Sequence, residues 1–339
     1  MAQIVRMVID GYNDLMDNKS DPRVNNWPLM SSPFPTLCIC LTYAFCVKRL
    51  GPKLMENRKP FQLKNTLIVY NLFQVIFSTW LFYESCVSGW LTHYSYRCQP
   101  VDYSYSPLAL RMARGCWWYY ISKFTEFFDT IFFVLRKKND HISTLHVIHH
   151  GVMPMSVWFG VKFTPGGHSS FFGFLNTFVH IIMYSYYLFA ALGPQFQKYL
   201  WWKKYLTALQ MVQFVAVMVH AFQLLFTDCN YPKAFVWWIG LHAVMFYFLF
   251  SDFYKQTYNK QKTALQKKVQ HYFNSAYKNE EANMTNGNIK KATEQIGICF
   301  TSQTALYQST DMDVPKGYTS SQSSNSKLRN RAFIDNSKQ

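Results

Sequence analysis

Four apolar stretches of this chain carry side chains that hydrocarbon tolerates only when they are paired or line a working cavity. His146, His149 and His150 stand in Leu-His-Val-Ile-His-His. Lys123, Glu126 and Asp129 stand in Lys-Phe-Thr-Glu-Phe-Phe-Asp-Thr. Asn176, His180 and Tyr184 recur at four-residue steps, and Gln210, Gln213 and His220 occupy a fourth run. Positions three and four apart share a helix face. His146 therefore shares a face with His149 and His150, and Asn176, His180 and Tyr184 form one polar stripe.

A clustered imidazole face suits two chemistries. One is metal ligation, as in the histidine boxes of membrane di-iron desaturases and hydroxylases. That chemistry needs further boxes, and the remaining histidines, His93, His141, His168, His180, His220, His242 and His271, form none. The other is acyl transfer: a neutral imidazole attacks a thioester, holds the acyl group in activated form, and neighbouring imidazoles move the protons. A seven-span receptor or transporter is the alternative from another class, and it has no need of three histidines opposite a fourth.

The elements that must position these groups are hydrophobic runs. Of 339 residues, 50% are hydrophobic and 15% charged, which excludes a disordered, collagenous or coiled-coil chain. Seven runs approach the roughly 20 residues that span a bilayer core: 34–47, 67–90, 116–135, 145–161, 169–192, 205–226 and 234–253. They are apolar on all sides rather than alternating, which favours an α-helical bundle over a β-barrel. At about 1.5 Å per residue, Asp129 lies roughly 10 Å, Gln213 about 13 Å and His180 about 18 Å from the basic ends of their runs. His149 lies one to two turns into a helix starting at Ser143 or Thr144. The polar groups of four helices thus reach similar depth and form one buried site.

The net charge of +16 is spread over alternate connections and not gathered into a patch for nucleic acid. Lys48, Arg49, Lys53, Arg58, Lys59 and Lys64, then Arg136, Lys137 and Lys138, then Lys198, Lys203 and Lys204, and finally the stretch after Lys255 carry the excess. By the positive-inside rule these lie in the cytosol and the N-terminus does not. Cys98 and Cys229 fall in connections on the opposite, oxidising side and are expected to pair. Three parts result: a lumenal arm at 1–32, a helical membrane domain at 33–254, and a cytosolic tail at 255–339 that is basic and then disordered. Nothing in the arm resembles a cleaved signal peptide. Asn18 in Asn-Lys-Ser is a lumenal glycosylation acceptor, whereas Asn283 has the same pattern on the cytosolic side.

Taken together, Lys123 to Thr130, the box from Leu145 to His150, Asn176 to Tyr187 and Thr207 to Phe214 resemble, in order and spacing, the motifs of the very-long-chain fatty acid elongases, the ELO family. The resemblance covers about residues 27–254. It implies seven transmembrane helices in an inverted barrel around a substrate tunnel, in the endoplasmic reticulum membrane. The implied reaction is the first of the elongation cycle. A long-chain acyl-CoA condenses with malonyl-CoA to give a 3-oxoacyl-CoA two carbons longer, carbon dioxide and CoA. Its reductases and dehydratase would be partners, with self-association left open. No metal, flavin or nicotinamide is implied, and no glycine-rich nucleotide loop occurs. The chain departs from many relatives in ending Asn336-Ser337-Lys338-Gln339 and not in a dilysine signal.

On this reading His149 is the nucleophile, and His146 and His150 orient it and shuttle protons. His180 with Asn176 would serve the oxyanion, and Lys123, Glu126, Asp129, Tyr184 and Gln213 would shape the substrate pocket. Arg136, Lys137, Lys138, Lys203 and Lys204 would ring the mouth and attract the anionic CoA heads.

Overall fold

The computed structural model describes residues 1–259 and scattered positions between 263 and 275. The disordered tail expected beyond them, the Asn283 triplet and Cys299 lie outside the described residues. Among the described residues the chain is helical, with no strand. Helix α1 is Ala2–Asn13. Helix α2 is Phe34–Phe45, carried on through Cys46–Leu50 and Gly51–Met55, and α3 is Lys64–Ser85, carried on through Cys86–Trp90. Then come α4 (Pro107–Thr125), α5 (Phe127–Leu135), α6 (Thr144–Phe163), α7 (Ser170–Leu192), α8 (Lys203–Phe222) and α9 (Lys233–Tyr254).

Five segments are long and apolar enough to cross a membrane: Phe34–Met55, Lys64–Trp90, Gly167–Leu192, Lys203–Leu225 and Lys233–Tyr258. The first reaches 22 residues because wide helical turns carry it well beyond its apolar run. The run expected at 116–135 instead starts at Pro107 and breaks at Glu126, and α6 carries the histidine box. Both are diluted by the ionisable residues that make them of interest. The helical path of α9 also continues through Lys255–Asn259, past the boundary expected at 254.

Local chemistry explains where these helices begin, bend and approach. Ser106 accepts from the Ala109 amide with Pro107 in the first turn, an N-cap with a proline that has no amide to orphan. Ser143 accepts from the His146 amide, which fixes His146 in the first turn of α6. Pro154 lies inside α6 and cannot donate to the carbonyl of His150, so the helix is free to bend just beyond the box. In α4, Ser122 donates to the Tyr119 carbonyl and Thr125 to that of Ser122, back-bonds that compete with the helical ladder and loosen it ahead of Glu126. Gly240 is required for close packing: a Cβ there would meet the Phe222 ring at 2.3 Å.

The neighbour relations close a ring. α3 packs along α7, α7 along α8, α8 along α9, α9 on α6, α6 on α4, and α4 back on α3, with α2 against α6. One end of this ring is sealed by residues 20–30. Asp21 and Arg23 form an ion pair at 2.6 Å with both side chains almost wholly buried. Arg23 also donates to the carbonyls of Asp102 and Ser104. Lys162 donates to Asn25, while Trp158 and Trp117 donate to the carbonyls of Leu29 and Pro28. The Asp21 and Arg23 charges of the N-terminal arm are thus internal structure. Cys98 and Cys229 are disulfide-bonded at the same end, across a sequence separation of 131. Asn18 is exposed there, with its amide donating to Asp14.

A bond closing so long a loop restricts the unfolded chain by at most about 4–5 kcal/mol. Because helices of a membrane protein stay inserted when packing is lost, a smaller effect is expected. A Cys98→Ser, Cys229→Ser double variant should melt below the parent in detergent. Identical melting curves for the two would show that this bond does not stabilise the fold.

Candidate functional site

The site is organised by a carboxylate at a break between helices. Glu126 lies between α4 and α5, and its side chain is almost wholly buried. Lys123, one turn earlier, donates to Glu126 Oε1 at 2.5 Å. His180 Nδ1 of α7 approaches the same oxygen at 3.4 Å, and His150 Nδ1 of α6 faces Oε2 at 3.8 Å. A buried charge needs a counter-charge and hydrogen bonds to persist. Here Lys123 supplies both to Oε1, and imidazoles from two other helices face the carboxylate, leaving Oε2 without a hydrogen bond among the described residues.

Protonation states follow from the partners. The Asn176 Oδ1 accepts from Tyr119 at 2.8 Å and from Lys123 at 3.1 Å. Its amide nitrogen therefore faces His180 Nε2, at 3.3 Å. A nitrogen that receives a donor must be the bare one in a neutral imidazole, so the His180 proton sits on Nδ1, towards Glu126. Lys123 lies 4.4 Å from the centre of the Tyr119 ring, which gives its ammonium a second favourable contact.

The box spreads around this hub. His146 Nε2 is 2.8 Å from the Thr130 hydroxyl, itself 2.7 Å from that of Tyr43. The His146 and His150 rings are 4.4 Å apart and those of His149 and His150 5.0 Å. His149 turns instead to the aromatic wall, 5.0 Å from the Phe246 ring and 6.3 Å from that of Phe250. Among the described residues it has neither a hydrogen bond nor an ion pair. Tyr184 donates to Asp129 at 2.7 Å, an arrangement separate from the Glu126 hub. Gln213 is buried and its amide nitrogen has no partner among the described residues; the neighbouring Phe214 ring packs on Phe246 and Phe250.

The sequence reading missed Tyr119, Thr130, Tyr43 and Phe246. Two of these were legible from spacing: Tyr119 precedes Lys123 by four residues and Thr130 follows Glu126 by four, so each shares a face with its partner. Tyr43 and Phe246 come from distant helices and left no local sign. Among the described residues no group of three or more His, Cys, Asp or Glu is placed to hold one metal ion.

From Tyr119 a cavity runs towards the disulfide end, lined by Thr177, Val157, Gly160, Phe172 and Ile239 among others. Most of its hydroxyls are turned away to backbone carbonyls: Thr177 to Gly173, Ser85 to Leu81, Thr164 to Gly160. The surface left to an occupant is that of an apolar channel whose near end is formed by Tyr119, the residue that donates to Asn176.

The model of the ELO: GNS1/SUR4 family matches residues 28–266. Over 263 residues the chain is 74% identical to a very long chain fatty acid elongase of Aedes aegypti, covering 77% of this chain and 73% of that one. It is 73% identical to very long chain fatty acid elongase 7 of Drosophila melanogaster over 75% of this chain and 78% of that one. Against very long chain fatty acid elongase 1 of Homo sapiens the identity is 48%, over 75% and 92%.

Removing one charge of the hub separates its structural from its chemical part. Glu126→Ala leaves Lys123 buried without its partner and should cost about 3–5 kcal/mol. A Lys123→Met, Glu126→Leu pair should recover most of that loss, while His180 still lacks its acceptor. Melting temperatures of the parent and both variants in one detergent check this. Equal stability of Glu126→Ala and parent would mean that Lys123 does not depend on Glu126.

Proposed function

The chain belongs to the ELO family, and from that premise we propose that it works as a very long chain fatty acid elongase through an acyl group held on His149. The observation that carries the reading is a histidine without a hydrogen bond among the described residues, set beside the His150 ring and against the aromatic wall of Phe246 and Phe250. A nucleophile needs an uncommitted nitrogen, and of the four imidazoles His146 and His180 are committed and His150 faces Glu126.

In the first half-reaction His149 attacks the thioester carbon of a long-chain acyl-CoA. The N–C bond forms, the C–S bond breaks and CoA leaves as the thiol, taking the imidazole proton. His150, the next residue, and His146, about one turn back, are placed to pass that proton. In the second, malonyl-CoA loses carbon dioxide and the electron pair of the broken C–C bond becomes an enolate. The enolate attacks the acyl carbon, the N–C bond breaks as His149 regains a proton taken up from solvent through its neighbouring imidazoles, and a 3-oxoacyl-CoA two carbons longer results. The oxyanion formed on the way needs a donor in a dry site. Asn176 and His180 were the candidates by sequence, but here they bond to each other, so they would serve only after that 3.3 Å contact parts. Gln213, with its unpartnered amide, is the more available donor. Glu126 acts by holding His180 and His150 in place.

The proposal includes the membrane setting. Seven spans would be α2, α3, the α4–α5 pair, α6, α7, α8 and α9, closed as an inverted barrel in the endoplasmic reticulum membrane. A disulfide belongs in the oxidising lumen, which supports a lumenal N-terminus and, with the positive-inside rule, basic connections in the cytosol. Arg136, Lys137, Lys138, Lys203 and Lys204 would then meet the CoA phosphates. The 3-oxoacyl product requires two reductions and a dehydration, so the enzymes for those steps are the natural partners. No resident cofactor enters the scheme.

Purified protein given acyl-CoA alone should gain the mass of one acyl group, and with malonyl-CoA should release 3-oxoacyl-CoA. His149→Ala should lose turnover by about 10³-fold or more and show no adduct; turnover by a folded His149→Ala variant would overturn the assignment. Channel length gives a second test. Thr164 lies about 22 Å beyond His149 along α6, the span of roughly 18 extended carbons at about 1.25 Å each. A Cβ at Gly160 would meet open space, so Gly160→Leu should fill the channel there and shift the products towards shorter chains. An unchanged product profile would show that this cavity does not hold the acyl chain.

A further inference from the structure

Next to the acyl channel is a second, much smaller cavity whose polar walls take no part in the reaction above. It is lined by His168, His220 and Tyr231, which are 3%, 9% and 5% exposed. Each presents one buried polar atom without a partner among the described residues: His168 Nδ1, His220 Nε2 and the Tyr231 hydroxyl. Three such atoms in one small space are unusual, because a buried polar group left unmade is costly.

Their hydrogen-bonding roles can be read from the partners they do have. The His168 and His220 rings stack at 3.8 Å with only 9° between planes. His168 Nε2 is 2.7 Å from the His220 carbonyl, which can only accept, so the proton is on Nε2 and Nδ1 is an acceptor. The His220 Nδ1 is 3.1 Å from the Gln223 amide nitrogen, which also faces the carbonyls of Tyr96 and His220 and is therefore a donor. The His220 proton is then on Nε2, which is a donor. Tyr231 adds a hydroxyl, and burial raises its pKa to about 12, so it remains an intact O–H near neutrality. The pocket thus offers one acceptor, one donor and one group that is either. A carboxylate would meet a bare ring nitrogen, and an ammonium would meet an N–H. A hydroxyl matches all three.

The position of the pocket says what would bring a hydroxyl there. Ser169, Phe172 and Ile239 belong to the walls of both cavities. Tyr231 lies beside the Thr164 and Ser169 hydroxyls that line the far end of the channel, outside hydrogen-bond geometry with either. The framework is fixed: the His168 amide bonds the Gln99 carbonyl, and the Tyr231 amide bonds that of Cys229 in the disulfide.

We propose that this pocket is a subsite for a hydroxyl on the last carbon of the acyl chain, so that the protein takes ω-hydroxyacyl-CoAs as substrates. The inference rests on the elongase reading, since the channel must hold the acyl chain. A hydroxyl oxygen accepts from His220 Nε2 and its proton goes to His168 Nδ1, with Tyr231 completing the set. A plain alkyl end of the same length displaces whatever serves these atoms and leaves them unpaired, and sites built around a substrate hydroxyl discriminate strongly against its absence. The bonds made and broken at the thioester end are unchanged.

The test uses the full chain in proteoliposomes with malonyl-CoA and paired series of plain, ω-hydroxy and ω-methoxy acyl-CoAs of about 14 to 24 carbons. At the length that reaches the pocket, the ω-hydroxyl should raise kcat/KM by about 10-fold or more over the plain chain. At shorter lengths it should not. The methyl ether, which accepts but cannot donate to His168, should lose the advantage, and Tyr231→Phe should reduce the hydroxyl-to-plain ratio several-fold. A ratio at or below one at every length, with plain chains still elongated, would overturn the subsite and leave a pocket that holds water only. Failure to elongate any chain would overturn the elongase reading and the subsite with it.

Discussion

A lysine and a glutamate buried side by side in an apolar bundle constrain everything around them. The Lys123–Glu126 pair is one turn apart on a single helical path, so local geometry supplies the counter-charge. It does not supply the remaining hydrogen bonds, and desolvating two charges is costly unless those are made. They come from elsewhere: Asn176 and Tyr119 serve the lysine, and His180 and His150 face the carboxylate. The break at Glu126 belongs to the same solution. With Ser122 and Thr125 bonding back into the helix, the chain slips there and brings the carboxylate between α6 and α7. Relative to a regular helix the site is strained in composition, and the ring of helices around it is what compensates.

The opposite end is held by a different kind of burial. The Asp21–Arg23 pair, Lys162 with Asn25, and the tryptophan-to-carbonyl bonds form a lid of short-range polar contacts, and the disulfide ties two connections across the same end. Asp21 and Arg23 neutralise each other, Arg23 also reaches backbone carbonyls, and Lys162 is held by the Asn25 side-chain oxygen, so each of these charges has a bonded partner. The two polar regions thus differ in what they leave unmade. The lid satisfies its charges, whereas the hub leaves His149, Gln213 and one Glu126 oxygen available. That contrast, more than the number of polar residues, separates architecture from chemistry in this chain.

Much of this was legible in the sequence, for identifiable reasons. Hydrophobic runs located the helices because the bilayer sets their length, and four-residue spacing placed Asn176 beside His180 and His146 beside His150. The stretch from Lys123 to Asp129 marked ionisable groups of the pocket, without saying which of them pair. Less legible was anything decided by packing between distant helices. His149 facing Phe246, the Tyr43–Thr130–His146 relay and the folding of residues 20–30 over the bundle each depend on partners hundreds of atoms away along the chain. Asp129 illustrates the limit: its spacing groups it with Glu126, yet its carboxylate goes to Tyr184 and forms a separate contact. Spacing says which side chains share a face, and only packing says what meets that face.

The histidines show why residue type alone would have misled. His168 and His220 are as buried as His150 and His180, and both pairs lie within the bundle. One pair faces a carboxylate and a lysine, in a field that favours charge separation during reaction. The other stacks ring on ring against Phe171 and Trp90, with no ionised group bonded to it, and can offer only neutral hydrogen bonds. An imidazole beside a carboxylate is suited to moving protons, and an imidazole stacked on another in an apolar wall is suited to recognising one. If both ends are used, the same side chain serves transfer at one end of the channel and selection at the other, and the difference lies in the neighbours that surround it.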